Sequence, residues 1–245
     1  MKYGCIADTP DFRDHIFSNG ESSIGTKKDL RSKMPPVYDQ GQLGSCTANA
    51  LGGAVEYEVM CQSQGEWTPS RLFIYYNERV MEGTINSDAG AQIRDGIKTL
   101  AKQGVCHETL WPYDISKFTN KPNTKAYTDA VKYVALKYAR VQQTLPGMKA
   151  CLNANIPIVL GISVYESFES AAVAKTGIVP MPLQSESLLG GHAILCVGYD
   201  DSTKRFIMRN SWGSSWGDKG YFYIPYDYLL NPDLCSDMWA INLVK

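Results

Sequence analysis

Seven cysteines and three histidines are the side chains of this 245-residue sequence able to do nucleophilic or acid–base chemistry near neutral pH. Cys46 stands apart from the other cysteines by its surroundings. It follows Pro35-Pro36 and the run Gln40-Gly41-Gln42-Leu43-Gly44-Ser45, in which no helix can persist, and it precedes an apolar pattern at helical spacing. Leu51, Val55 and Val59, with Ala54 and Tyr57 beside them, predict a helix from Cys46 to about Cys61, with Ser45 as N-cap and Gly65 beyond the end. A thiol in a first helical turn faces unpaired amide N–H groups and the positive end of the dipole, which favour thiolate. Gly41, Gly44 and Ser45 are small enough for an extended backbone to approach, and Gln40 offers an uncharged amide donor suited to an oxyanion.

A cysteine taken singly is more often a packed apolar residue than a nucleophile, and Cys61, Cys151 and Cys196, inside apolar helix or strand patterns, are expected to be that. A base must therefore be found for Cys46. His192 lies in Gly190-Gly191-His192-Ala193-Ile194-Leu195, at the head of an apolar strand, whereas His15 and His107 sit in polar or loop contexts and read as surface residues. Asn210 ends a further strand pattern and opens Asn210-Ser211-Trp212-Gly213-Ser214-Ser215-Trp216-Gly217, whose indole–glycine pairs fit a packed corner as well as a site.

Three blocks in this order, Gln40-Gly41-x-x-Gly44-Ser45-Cys46, Gly191-His192-Ala193 and Asn210-Ser211-Trp212-Gly213 with Trp216-Gly217 and Gly220-Tyr221, resemble the papain family of cysteine peptidases from about Asp29 to the C-terminus. The resemblance implies an α+β, two-lobe fold, a mainly helical N-terminal lobe (29–125) and an antiparallel β-barrel-like C-terminal lobe (126–245), with the site between them. It implies a peptidase, expected to be an endopeptidase, in which Cys46 attacks a peptide carbonyl and His192 exchanges protons with it. Asn210 would orient the histidine, Trp212 would shield that contact, and Gln40 with the Cys46 N–H would hold the oxyanion. Gly90-Ala91 is similar to the family's substrate-pairing Gly-Gly, with one glycine replaced. No metal or organic cofactor is implied. Leu43 stands where the family has a disulfide-forming cysteine, and Thr47 where it has an aromatic. The opening Asp11-x-Arg13-Asp14-x-x-Phe17, with Ser45-Cys46-Thr47-Ala48-Asn49-Ala50, is similar to a prokaryotic and viral branch of the family.

These residues need elements to hold them. Helical patterns cover Ser70 to Val80, Gln92 to Lys102 and Leu145 to Asn153, and strands are expected at Ile156 to Val164, Ala193 to Tyr199, Arg205 to Arg209, Gly220 to Ile224 and Trp239 to Val244. Helices followed by strands give α+β. Residues 1–28, with Ser18-Asn19-Gly20-Glu21-Ser22-Ser23, read as an irregular extension, either a surface tail or a segment over the cleft that restrains activity.

Charge and hydropathy narrow the classes further. Twenty-four Lys and Arg against 25 Asp and Glu leave no positive field for nucleic acid or an anionic membrane, and the apolar runs are strand-length. The partner expected is a peptide or protein substrate, with the chain a monomer. No signal peptide is recognisable, and the odd, widely spaced cysteines lean towards a reducing, cytoplasmic setting. Two alternatives use the same residues: a peptide-binding relative with a disabled site, and an acyl transferase.

Overall fold

The computed structural model describes residues 1–18, 24–62, 65, 67–134 and 137–242; Asn19 to Ser23 of the irregular run, and Leu243 and Val244 at the expected end of the last strand, lie outside the described residues. The first half contains strands β1 (Cys5–Ile6) and β2 (Lys27–Asp29), helices α1 (Cys46–Cys61) and α2 (Arg71–Glu82), the short strand β3 (Ala91–Gln92) and helix α3 (Ile93–Gln103). Helix α4 (Thr124–Ala130), β4 (Lys137–Arg140), α5 (Leu145–Asn153), β5 (Ile158–Tyr165) and α6 (Ala171–Thr176) follow. The chain continues through β6 (Leu188–Asp200), β7 (Arg205–Arg209), β8 (Tyr221–Pro225), α7 (Tyr226–Leu230) and β9 (Cys235–Asn242).

The sheet runs in the order β4-β9-β5-β6-β7-β8, with β2 also paired to β6, and every one of these pairings is antiparallel. Strand β6 is central, pairing with β5, β7 and β2. A strand with neighbours on both sides and a helix on its face has no polar side, which is why Ala193 to Tyr199 is continuously apolar or glycine and buried. Helix α1 lies against it, and all residues from Cys46 to Val59 are buried. An ordinary surface helix keeps a polar stripe; α1 instead has small residues where β6, α2 and α3 press on it. The molecule is thus an α+β protein with helices to one side of a large antiparallel sheet, the two-lobe arrangement expected.

Local rules explain most helix ends. Ser70 caps α2 by accepting the Phe73 N–H at 3.1 Å, and Gly83, in the left-handed region at φ 73°, ends it. Ser45 departs from expectation: it occupies the N-cap position of α1 but makes no capping hydrogen bond. Its hydroxyl instead meets Tyr113 Oη at 2.5 Å and accepts from Asn49, so tertiary partners displace the local one. Helices α4, α6 and α7 span only seven, six and five residues, too few for a periodic pattern. Cys151 and Cys196 are buried, whereas Cys61 is exposed at the end of α1; all seven thiols are free.

Residues 1–18 and 24–29 are joined to the body by ordered contacts. Asp8 is buried and accepts the Trp239 Nε1–H at 2.8 Å and the Arg94 N–H at 2.9 Å. Arg140 reaches Asp8 at 3.2 Å, Asp14 at 3.0 Å and Asp237 at 3.0 Å, and Arg94 forks onto Asp14. The Arg94 and Arg140 guanidinium groups hold the Asp14 carboxyl below its usual range. Burial pushes Asp8 the other way.

Arg79, fully buried on α2, donates to the carbonyls of Tyr75, Ile85, Ser87 and Phe118 and so holds the loop that leads into β3. Replacing Arg79 by Met would leave those carbonyls without a donor and is expected to cost about 3 kcal/mol, read from the urea midpoint.

Candidate active site

Cys46 is the first residue of α1 and is completely buried. The backbone N–H groups of Ala193 on β6, of Gly4 from the amino-terminal arm and of Thr47 within the helix act on its Sγ, each favouring the thiolate. The Ala193 contact sets His192, one residue earlier on β6, beside the helix start; His192 lies opposite Ile162 of β5. His192 Nε2 is 2.8 Å from Asn210 Oδ1, which also accepts the Ser211 N–H at 2.9 Å. That second bond identifies the oxygen of the amide, so Nε2 carries the proton it donates. Nδ1 has no hydrogen-bond partner among the described residues.

The Trp212 ring stacks on the imidazole, with centroids 5.0 Å apart and planes at 27°, and Trp216 meets Trp212 edge-on. Phe168 closes the cluster from behind. The indole–glycine motif is therefore both a packed corner and the lid of the histidine–asparagine contact. Gln40 is buried, its Oε1 accepting from Ser211 Oγ at 2.7 Å and its Nε2 donating to Leu43 O at 3.0 Å and reaching Lys2 O at 3.4 Å. Ser211 escaped notice from sequence because its partner lies far away in the chain.

Residues 2–6 run through the cleft. Gly4 O accepts the Ala91 N–H at 2.7 Å, and Cys5 and Ile6 continue parallel to Ala91 and Gln92. The approach is so close that a methyl group on Gly90 would come within 2.2 Å of Gly4 O, and one on Gly4 within 1.9 Å of Gly44 O. Gly90 also has φ 76°, so two constraints demand glycine there. Tyr3 sets its ring edge-on to His192, 5.9 Å between centroids, and bonds Glu169; Lys2 pairs with Asp88 at 2.7 Å. Cys5 lines a pocket of about 130 Å³ together with Gly161, Ile162, Gly191, Cys235 and Ser236.

This cover sets the electrostatics. Burial pushes the Cys46 thiol up to about 11 despite the amides around it, and burial brings His192 down to about 4 despite Asn210. With the arm in place, burial favours the neutral thiol and the neutral imidazole, against the thiolate that the helix start alone leads one to expect. His15 is exposed, and His107 pairs with Asp129 at 2.6 Å beside Trp67, away from Cys46.

A cysteine at the head of a buried helix, a histidine on the strand packed against it and an asparagine just past the end of the next strand define a class, and the profile of papain family cysteine proteases matches residues 24–235. The chain belongs to that family and is a cysteine peptidase. It is 42% identical over 99% of its length, and 87% of the other, to an uncharacterised peptidase C1-like protein of Acanthamoeba polyphaga mimivirus. The crystal structure of xylellain, a cysteine protease from Xylella fastidiosa, superposes with a TM-score of 0.93 at 45% identity, covering 99% of this chain and 96% of that one. A digestive procathepsin L 3 of Tenebrio molitor, at 20% identity, shares the fold with a TM-score of 0.75 over 93% of this chain and 73% of its own. The first two likenesses place the chain with the family's viral and bacterial members.

The depressed His192 has a sign that can be checked. Between pH 6.5 and about 4 the unfolded chain binds a proton that the folded chain refuses, so this residue contributes stability above that window and loses it as pH falls through it. The urea midpoint of the full chain should fall over that range, and by less in His192→Gln.

Proposed function

We propose that this peptidase works through a thioester on Cys46, with His192 as acid and base, Asn210 as the orienting group, and Gln40 with the Cys46 N–H as oxyanion donors. The observation that carries this reading is the His192 Nε2–Asn210 Oδ1 contact at 2.8 Å beneath Trp212, directly beside the residue whose N–H meets Cys46 Sγ. With Nε2 committed to Asn210, only Nδ1 is left to take the thiol proton and to return it to the leaving amine. The thiolate then attacks the carbonyl carbon, the C–N bond breaks as the amine is protonated, and water activated by the same nitrogen releases the acid. Gly90 and Ala91 are the proposed backbone partners of the substrate, and Trp212 borders its leaving-group side.

Residues 1–28 are proposed to restrain this activity. In support, the arm hydrogen-bonds Ala91, which a substrate would need, faces Gln40 with the Lys2 carbonyl, and gives Cys46 Sγ an amide N–H, which is no electrophile. The arm extends past Cys46 in both directions, with Tyr3 beside Trp212 and Cys5 lining a pocket. A cleft open at both ends suits an endopeptidase acting on a single polypeptide at a time, by a monomer.

Deleting residues 1–6, which leaves Asp8 and Asp14 on their arginines, is expected to raise kcat/KM on a fluorogenic peptide at least about ten-fold, since a chain mostly closed loses that fraction in affinity. Equal rates would reject the restraint. In the same shortened chain, Cys46→Ala should be inactive and resist an epoxide label, and Gln40→Ala should lose roughly 100-fold in kcat. Transfer of the acyl group to added amine in preference to water would instead identify a transferase.

A further inference from the structure

One buried acid near the nucleophile has no part in the chemistry above. Glu78 on α2 is completely buried, and its Oε2 accepts the Thr47 hydroxyl at 2.8 Å. Thr47 directly follows Cys46, and its N–H is one of the three that meet Cys46 Sγ. Helix α3 leaves room for this carboxyl only through Gly96, where a methyl group would come within 2.3 Å of Glu78 Oε1 and 2.2 Å of Leu51 Cδ1. Glu78 therefore sits where α1, α2 and α3 converge, under the first turn that carries the thiol.

We propose that Glu78 is a positioning residue: its carboxyl fixes Thr47, and through it the amide next to the Cys46 sulfur. The inference rests on Cys46 being the nucleophile.

The groups around Glu78 support the neutral form. From α2, Glu82 adds a like charge; Arg79 acts the other way, favouring the carboxylate, but spends its hydrogen bonds on four backbone carbonyls. From α3, Asp95 adds another like charge; from α1 and the arm, Cys46 and Cys5 are thiols. Among the described residues no cation forms an ion pair with Glu78, and burial holds its carboxyl well above the usual carboxylate range. An ionised Glu78 would place negative charge under a developing thiolate; a protonated one supplies the acceptor for Thr47 without that penalty. The Thr47 hydroxyl is buried and needs a fixed partner, and Glu78 is that partner.

The test compares Glu78→Gln, Glu78→Leu, Thr47→Val and the Glu78→Leu/Thr47→Val double variant in the full chain. Two readouts are taken: kcat and KM on a fluorogenic peptide, and the pH dependence of iodoacetamide labelling at Cys46, quantified by mass spectrometry. Glu78→Gln keeps a neutral acceptor and should retain at least a third of wild-type kcat with an unmoved labelling profile. Glu78→Leu and Thr47→Val should each lower kcat ten-fold or more at nearly constant KM and move Cys46 labelling to higher pH, with the double variant no worse than either single one. Thr47→Val, which preserves volume, keeps the question answerable if Glu78→Leu fails to fold. Retention of kcat within two-fold in Thr47→Val would overturn the proposal. Loss in Glu78→Gln as deep as in Glu78→Leu would overturn the neutral role and assign the effect to charge. Absence of Cys46 labelling at every pH both in the full chain and in the chain lacking residues 1–6 would instead sink the nucleophile reading on which the inference stands.

Discussion

The start of α1 lies against β6, where the Ala193 N–H meets Cys46 Sγ, and every other feature of the site is arranged around that contact. A helix can approach a central strand this closely only if both surfaces are apolar and the helix is small on the facing side. The buried face of α1 and the glycine-led head of β6 meet that condition. Once the contact forms, His192 is brought to the start of α1, because it precedes Ala193 on β6. Asn210 follows because β7 pairs with β6 in the register Leu195 to Arg209. Arg209 then ties that corner to the chain before α1 by donating to the carbonyls of Pro35 and Pro36.

The same burial that makes this arrangement rigid works against its ionisation. With residues 2–6 seated, water is kept from both members of the pair, and neither finds a countercharge that would offset the lost solvation. Amide dipoles are the compensation available: three around the sulfur, and an amide oxygen on the imidazole. They align the groups without charging them. The arm is held at some distance from the sulfur, by the Asp8 and Asp14 side chains on Arg94 and Arg140.

Legibility in the sequence followed the range of the forces involved. The helix from Cys46 to Cys61, the body of α2, expected over Ser70 to Val80 and found at Arg71–Glu82, and strand β7 rest on periodicity, which acts within a few residues. Strands β1, β2 and β3 are two or three residues long and exist because distant segments present backbone to them. Strand β6 begins at Leu188, earlier than its apolar pattern, because β5 pairs with the glycine-rich head. The role of Ser45 was misjudged for the same reason: a local cap competed with Tyr113 and Asn49 and gave way to them.

By itself the sequence determined the type of chemistry, since a thiol at a helix start, a histidine after two glycines and an asparagine before an indole are matters of residue identity and local geometry. Tertiary structure alone decided the state of that chemistry. Whether Cys46 is thiol or thiolate depends on how far it is kept from water and which dipoles face it, and that is set by burial and by the amides of Ala193 and Gly4, brought together only by the packing of helix, sheet and arm.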